Sequence, residues 1–145
     1  MGVKRLSLLI LGLCLAFAGF RSEAVDFLDA DELFEVMDSM DFDKPIVIEL
    51  WASWCPGSRV VAPRFGDVAR EFGNRAYFFK IDIDDYPEVV SYFNVNMLPC
   101  VLAIYISPND TGNPQVYWTG ARGEPYLKTG DIRQIVNDAL AAHNY

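Results

Sequence analysis

One cysteine of this chain lies where a reactive thiol is expected. Cys55 follows an apolar, β-branched run, residues 45–52, and directly precedes Pro56. Proline is tolerated in the first turn of a helix because the N–H it lacks has no partner there. A cysteine between a strand end and a helix start meets free N–H groups and the positive end of the helix dipole, and both favour the thiolate. Because the thiolate is the attacking species in thiol–disulfide exchange, Cys55 is predicted to carry that chemistry.

A carboxyl group interrupts the same apolar run. Glu49 lies between Ile48 and Leu50, so we expect its side chain to be buried, although an edge strand would leave it as a paired surface acid. Burial raises the pKa of a carboxyl group and allows it to exchange protons near neutral pH. Glu49 is therefore a candidate proton-transfer group.

Two further residues are candidates for chemistry. Cys100 is either a small buried residue at the start of a strand or a resolving thiol that closes a disulfide with Cys55, which requires the two Cα atoms to lie within about 7 Å. His143 is the single histidine and lies far in sequence from the other candidates. Metal sites use several His or Cys ligands, so neither a metal nor another cofactor is predicted.

Strand and helix signals alternate around these residues. Apolar residues at helical spacing follow Asp29, a predicted N-cap, and the later segments alternate between strand-like and helix-like patterns. The predicted elements are strand 25–28, helix 30–40, strand 45–52, helix 56–72 with Pro63 inside it, strand 76–83, helix 87–93, strand 101–106, loop 107–114, strand 115–119 and helix 131–142. This order predicts an α/β domain with a central mixed sheet flanked by helices.

The N-terminal segment has a different character. Two basic residues precede an apolar stretch, residues 6–20, which is short for a bilayer core of about 30 Å. This pattern is typical of a cleaved signal peptide, with cleavage after Ala18 or Ala24; an uncleaved signal anchor is the alternative. We therefore expect a signal peptide at 1–24 and one folded domain at 25–145. The expected location is the secretory pathway (endoplasmic reticulum lumen or extracellular space, or periplasm in a bacterium), without membrane attachment after cleavage.

Charge limits the class of partner. The chain has 12 Lys and Arg against 20 Asp and Glu, a net charge of −8. Without residues 1–24, which hold three basic residues and one acid, the net charge becomes −10. Nucleic acid is a poor partner for such a chain, and the scattered acids are typical of a solvated surface. The loop 107–114 contains Asn109-Asp110-Thr111, an N-glycosylation acceptor sequence in a eukaryotic host.

The segment around Cys55 resembles thioredoxin and the thioredoxin domains of protein disulfide isomerases. The family pattern is a strand with a buried acid, then Trp-x-x-Trp-Cys-x-x-Cys-Lys, then a helix that contains proline. The matching positions here are Glu49, Trp51, Trp54, Cys55, Ser58, Arg59 and Pro63. Further matches are Lys80, the pair Leu98-Pro99 and the segment 117–122, which ends in Arg122. The resemblance covers essentially all of residues 25–145 and implies the thioredoxin fold.

The resemblance also implies roles for these residues. Lys80 is expected to face the buried acid, unless it is a solvated strand lysine. Pro99 is expected to be cis, so that the neighbouring backbone can pair with an extended substrate. Arg122 either approaches Cys55 and favours its thiolate or is an ordinary loop arginine. The residues implied in substrate binding are Trp54, Pro56, Gly57, Leu98 and Pro99, where Trp54 is otherwise a core or rim aromatic.

The departure at Ser58 limits the chemistry. In a dithiol enzyme the second cysteine releases the mixed disulfide by thiolate attack. A hydroxyl cannot do this, although it can donate a hydrogen bond to the Cys55 thiolate. Cys55 can therefore attack a disulfide, but release requires another thiol, from the client, from glutathione or from Cys100.

Three functions remain in competition at this point. The first is monothiol exchange, resembling that of a disulfide isomerase, with secretory protein clients through Cys55. The second is a non-catalytic chaperone or adaptor that binds clients in the groove beside Trp54, Leu98 and Pro99. The third is a dithiol enzyme that uses Cys55 and Cys100.

Overall fold

The computed structural model describes residues 25–122 and 127–144. Its helices are α1 (Ala30–Ser39), α2 (Pro56–Phe72), α3 (Glu88–Tyr92) and α4 (Thr129–Ala142). Its strands are β1 (Ile46–Trp51), β2 (Tyr77–Asp82), β3 (Cys100–Pro108) and β4 (Pro114–Arg122). None of the helices in these two ranges is long and apolar enough to span a membrane.

The four strands form one mixed sheet in the order β2-β1-β3-β4. β1 is parallel to β2 and antiparallel to β3, and β3 is antiparallel to β4. The predicted α/β architecture, a mixed sheet flanked by helices, is therefore confirmed. The predicted strand 25–28 is wrong, because only one bridge, Phe27 to Lys80, joins this segment to the edge of β2.

Helices cover both faces of the sheet. Alternate residues of β1 point to opposite faces, as the two-residue period of a strand requires. Ile48 and Leu50 pack in a cluster with residues of α1, whereas Val47 packs in a second cluster with residues of α2 and α4. Burial on both faces explains why β1 is apolar almost throughout, because a strand covered on both faces has no solvent-facing positions for polar residues.

Local signals set several helix ends. The Oδ1 atom of Asp29, the N-cap of α1, accepts a hydrogen bond of 2.8 Å from the backbone N–H of Asp31, as expected for that residue type. Met40 ends α1 with a φ of 51°, and Gly73 ends α2 with a φ of 44°. Helix α4 begins two residues earlier than predicted, where Lys128 N–H donates to Asp131 at 2.9 Å. The bounds 56–72 of the long helix α2 are confirmed.

The topology brings two loops to one end of the sheet. Leu50, near the end of β1, is paired with Cys100 at the start of β3. The turn from Trp51 to Cys55 and the loop that contains Leu98-Pro99 therefore leave the sheet at the same end of its strands. The candidate site is formed there, at the start of α2.

Candidate active site

Cys55 is the N-cap residue of α2. Its backbone is extended, with φ −86° and ψ 112°, and its carbonyl accepts a 3.4 Å hydrogen bond from Arg59 N–H. Only 8% of the residue is exposed, and its thiol is free. A cysteine in this position lies at the unpaired N–H groups of the first turn, as its place in the sequence predicts.

The surroundings of the sulfur lower the pKa of the Cys55 thiol. Burial acts in the opposite direction and is the largest single influence, since it disfavours the thiolate. The backbone N–H of Ser58, the Ser58 hydroxyl, the backbone N–H of Gly57 and the charge of Arg59 together outweigh it. The result favours the thiolate form that attacks disulfides.

Ser58 occupies the position of the second cysteine in the family pattern. The residue is fully buried, and its Oγ atom makes no hydrogen bond of standard geometry to any residue that the structure describes. Its proximity to the sulfur nevertheless helps to lower the pKa of Cys55. Ser58 therefore stabilises the attacking thiolate but supplies no group that can release a mixed disulfide.

Glu49 and Lys80 form an ion pair across β1 and β2. The two residues are direct neighbours in the parallel register, and Glu49 Oε2 lies 3.8 Å from Lys80 Nζ. The carboxyl group of Glu49 is fully buried, and neither oxygen accepts a hydrogen bond from the described residues. Burial raises the pKa of Glu49 to about 7, and the charge of Lys80 opposes this rise only in part. The predicted burial and the predicted pairing are both confirmed.

Glu49 and Ser58 are the two buried polar side chains in the ranges that the structure describes. Glu49 shares its sheet face with Val47 and Val101, which pack against α2 and α4. Both polar groups therefore lie in the layer between the sheet and α2, the helix that carries Cys55. Burying a polar group without a hydrogen bond costs free energy, and such groups occur mainly at functional sites.

Exposed apolar side chains lie in the two loops at the Cys55 end of the sheet. Trp54 is 61% exposed, and its indole Nε1–H donates a 3.0 Å hydrogen bond to Asp84. Met97 is 56% exposed and precedes the Leu98-Pro99 peptide bond, which is cis as expected. We call Trp54, Met97 and the half-buried Leu98 the apolar rim.

Sequence reasoning missed Asp84 and Met97. Asp84 follows the end of β2, and the ends of two neighbouring parallel strands lie at one edge of a sheet. That rule would have placed it beside the turn after β1. Met97 had no signal other than its position beside Leu98.

The remaining predicted residues lie as follows. Pro56 is exposed and Gly57 half-buried in the first turn of α2. Cys100 is fully buried and packs with Leu50 and Leu102 in the cluster that faces α1, on the opposite face from Glu49. Because Cys55 has a free thiol, it is not bridged to Cys100 here.

Arg122 pairs through its backbone with Cys100 at the end of β4. Its side chain lies outside the described residues, as does the predicted signal peptide, 1–24. Among 25–122 and 127–144, no group of three or more His, Cys, Asp or Glu side chains could hold a metal ion. His143 instead accepts a hydrogen bond at Nδ1 from Ile106 N–H, at 3.2 Å, near the other end of β3.

The chain is similar in sequence to thioredoxins of plants and bacteria. The chain is 44% identical over 62 residues to thioredoxin H4 of Arabidopsis thaliana, covering 43% of this chain and 52% of the relative. It is 28% identical over 107 residues to a thioredoxin of Mycobacterium bovis, covering 74% and 85% of the two chains. The matched segment spans about half the length of the Arabidopsis relatives.

Solved structures share the fold. A crystal structure of chloroplastic thioredoxin z matches with a TM-score of 0.62 and 24% identity, over 81% of this chain and 96% of that one. A crystal structure of ERdj5, form II, matches with a TM-score of 0.62 and 16% identity, over 90% of this chain and 17% of that one. The thioredoxin family model matches residues 27–129. The chain therefore belongs to the thioredoxin family.

Proposed function

We propose that this protein is a thiol–disulfide exchange protein of the monothiol type, which forms mixed disulfides with secretory protein clients through Cys55. The observation that carries the proposal is the start of α2, where Cys55 has a lowered pKa and the fully buried Ser58 takes the place of a second thiol. Thioredoxin domains in general act on protein thiols and disulfides.

The exchange begins at the sulfur of Cys55. Its thiolate attacks one sulfur of a client disulfide, so that a Cys55–client bond forms, the client S–S bond breaks, and the other client sulfur leaves as a thiolate that takes up a proton. A second thiol must then attack the mixed disulfide. If it belongs to the client, the client bond is rearranged without net oxidation or reduction; if it belongs to glutathione, Cys55 is regenerated and the client carries glutathione.

Ser58 decides how long the mixed disulfide lasts. A second cysteine at that position would release the client within the same protein, whereas a buried hydroxyl leaves release to outside thiols. We therefore expect the protein to hold clients covalently until such a thiol arrives. The carboxyl group of Glu49 has a pKa of about 7 and lies in the layer between the sheet and α2. Because position 58 holds serine, there is no second thiol at that position from which Glu49 could take a proton.

The apolar rim supports a protein client. Trp54 and Met97 expose much of their side chains at the edge of the sheet where Cys55 lies. Exposed apolar side chains around a reactive group favour an extended client segment over a small polar disulfide. The proposed location in the secretory pathway depends on residues 1–24, whose sequence is typical of a signal peptide.

Alkylation kinetics test the chemistry. The protein without residues 1–24 is treated with iodoacetamide at pH 6, and a small reference thiol is treated in parallel. We expect Cys55 to react faster than the reference thiol, because a lowered pKa leaves more thiolate at that pH. A Cys55→Ser variant gives the background from Cys100. A rate at or below that of the reference thiol would overturn the proposal.

Client binding without chemistry is a second candidate function, which the exposed rim favours. A Cys55→Ala variant separates the two, since unchanged client capture by this variant supports an adaptor or chaperone. Mass spectrometry of the non-reduced protein tests the dithiol alternative. A mass lower by two hydrogens than that of the reduced form would show a Cys55–Cys100 bridge.

A further inference from the structure

The hairpin that joins β3 to β4 contains the N-glycosylation acceptor sequence, Asn-x-Thr. The sequence contains one such acceptor, Asn109-Asp110-Thr111. These residues lie in the turn 109–113, closed by hydrogen bonds from Asn109 N–H to the Asn113 carbonyl (2.7 Å) and from Gly112 N–H to the Asn109 carbonyl (2.9 Å). Asn109 is half-buried, and the four residues that follow it are exposed, which leaves room for a large polar group at the surface of the turn.

The orientation of the Asn109 amide is fixed by its neighbours. Its side-chain oxygen accepts hydrogen bonds from the backbone N–H groups of Thr111 and Asn113, each at 3.0 Å. A backbone N–H can only donate, so the atom that faces both of them is the oxygen. The Nδ2 atom therefore lies on the other side of the amide group, and it makes no hydrogen bond to any described residue.

The threonine hydroxyl contacts the same amide. Thr111 Oγ1 donates to Asn109 Oδ1 at 2.7 Å and accepts from Asn113 Nδ2 at 3.0 Å. A hydrogen bond from a hydroxyl to an amide oxygen polarises the amide and makes the N–H hydrogens of Nδ2 more acidic. The residue type at position 111 thus supports the reactivity of Asn109 as well as completing the acceptor sequence.

A group attached at this hairpin would not obstruct the thiol. Strand β3 begins with Cys100 at the Cys55 end of the sheet and ends with Pro108 at the other, so the turn lies about 25 Å away at the usual rise per residue. A glycan on Asn109 would leave the apolar rim and Cys55 open to clients.

We propose that Asn109 is an N-glycosylation site, used when the chain enters the lumen of a eukaryotic secretory pathway. Nδ2 attacks the anomeric carbon of an oligosaccharide carried on a lipid diphosphate. A C–N bond forms, the C–O bond to the diphosphate breaks, the lipid diphosphate leaves, and the amide loses one proton to the transferase. This site depends on the secretory location in the proposed function, but not on the thiol chemistry.

Expression in eukaryotic cells tests the site separately from the natural leader. Residues 25–145 are expressed behind a leader of known function, with a C-terminal Asn-Gly-Thr tag whose glycosylation reports entry into the lumen. We expect two glycans that an amidase releases, and one after Asn109→Gln or Thr111→Val, whereas Thr111→Ser keeps both. Release by the amidase converts Asn109 to Asp, which peptide mass spectrometry locates.

A protein glycosylated on the tag but not on Asn109 would overturn the proposal. Two glycans on the Asn109→Gln variant would overturn it equally. The full chain with its own residues 1–24 is then expressed in parallel. If only the version with the foreign leader is glycosylated, the secretory location fails while the glycosylation site stands. Iodoacetamide reactivity of the purified protein reports on the thiol chemistry independently of both.

Discussion

Glu49 Oε2 lies 3.8 Å from Lys80 Nζ, and this ion pair is buried on one side only. The carboxyl of Glu49 is fully buried, whereas 15% of the Lys80 side chain remains exposed. The lysine can be hydrated and can also lie over the Trp51 ring, 5.4 Å from its centroid, but the carboxyl has no such alternative. Desolvation therefore outweighs attraction to Lys80, and the pKa of Glu49 rises to about 7.

Glu49→Gln should change the pH dependence of stability. In the folded protein Glu49 keeps its proton up to about pH 7, whereas a glutamate in the unfolded chain has a pKa of 4.5. The stabilisation from this protonation is therefore complete below pH 4.5 and is lost as the pH rises through 7. This difference in pKa corresponds to about 3 kcal/mol. Urea unfolding should show the free energy of unfolding of the wild type falling by about that amount relative to Glu49→Gln between pH 4.5 and 8. Glu35→Gln, at an exposed position on α1, is the control, and a constant difference between wild type and Glu49→Gln would contradict the assignment.

The sequence predicted residues whose signal lies within one strand or helix better than it predicted contacts between residues of different strands and helices. Glu49 was recognised from its apolar neighbours and Cys55 from the strand-to-helix boundary, because both signals are local. The hydrogen bond between Trp54 and Asp84 joins residues thirty positions apart, and only the parallel pairing of β1 with β2 brings them together. The face to which Cys100 points likewise depends on strand register, which a short apolar run does not reveal.

Ser58→Cys should restore a dithiol site. The position is fully buried beside Cys55, so a thiol there can attack the mixed disulfide from within the protein. We expect the oxidised variant to lose two hydrogens in mass and its turnover in reductant-driven disulfide reduction to rise at least about tenfold. Ser53→Cys, an exposed position in the preceding turn, is the matched control and should give no such gain. Equal turnover in wild type and Ser58→Cys would show that release is not what limits the natural site.

Trp54→Ala should weaken reaction with protein clients more than reaction with small disulfides. The indole is 61% exposed and is held in place by Asp84, so its loss removes apolar contact area without emptying the core. The yield of mixed disulfide with an unfolded client should fall at least about fivefold, which corresponds to roughly 1 kcal/mol. Tyr92→Ala removes another exposed aromatic, on α3, and should leave client trapping unchanged. A parallel loss of reactivity toward a small aromatic disulfide would instead indicate an effect on Cys55 itself.

Gly120→Ala should destabilise the β3–β4 pairing. A Cβ atom at position 120 would lie 2.4 Å from the Val101 carbonyl oxygen and 2.7 Å from Leu102 Cδ2, both closer than van der Waals contact allows. Relieving this contact requires a backbone shift, with an expected cost of about 1–3 kcal/mol. Gly130→Ala is the control, since no atom of the described residues lies within 4 Å of a Cβ there and the position is in the first turn of α4. Thermal unfolding should show a lower Tm for Gly120→Ala, and an unchanged or higher Tm for Gly130→Ala; equal Tm values would contradict the close contact.

His143 should give stability a pH dependence opposite to that of Glu49. Its Nδ1 atom accepts the Ile106 N–H, and its Nε2 atom is buried without a hydrogen bond of standard geometry to any described residue, so the neutral ring fits the site and a second ring proton does not. Burial lowers the pKa of His143, and the backbone and charge of Asp43 only partly offset this. Below pH 6.5, His143 is protonated in the unfolded chain, whereas in the folded protein it stays neutral down to a lower pH.

The stabilisation by His143 is thus present above pH 6.5 and is lost as the pH falls through its lower folded pKa. In a Glu49→Gln background, where the opposing slope is absent, the free energy of unfolding should fall as the pH drops from 6.5 to about 5. Adding His143→Gln should reduce this slope, because glutamine offers an acceptor for Ile106 N–H and does not titrate in this range. An unchanged slope in the double variant would show that another group causes the acid sensitivity.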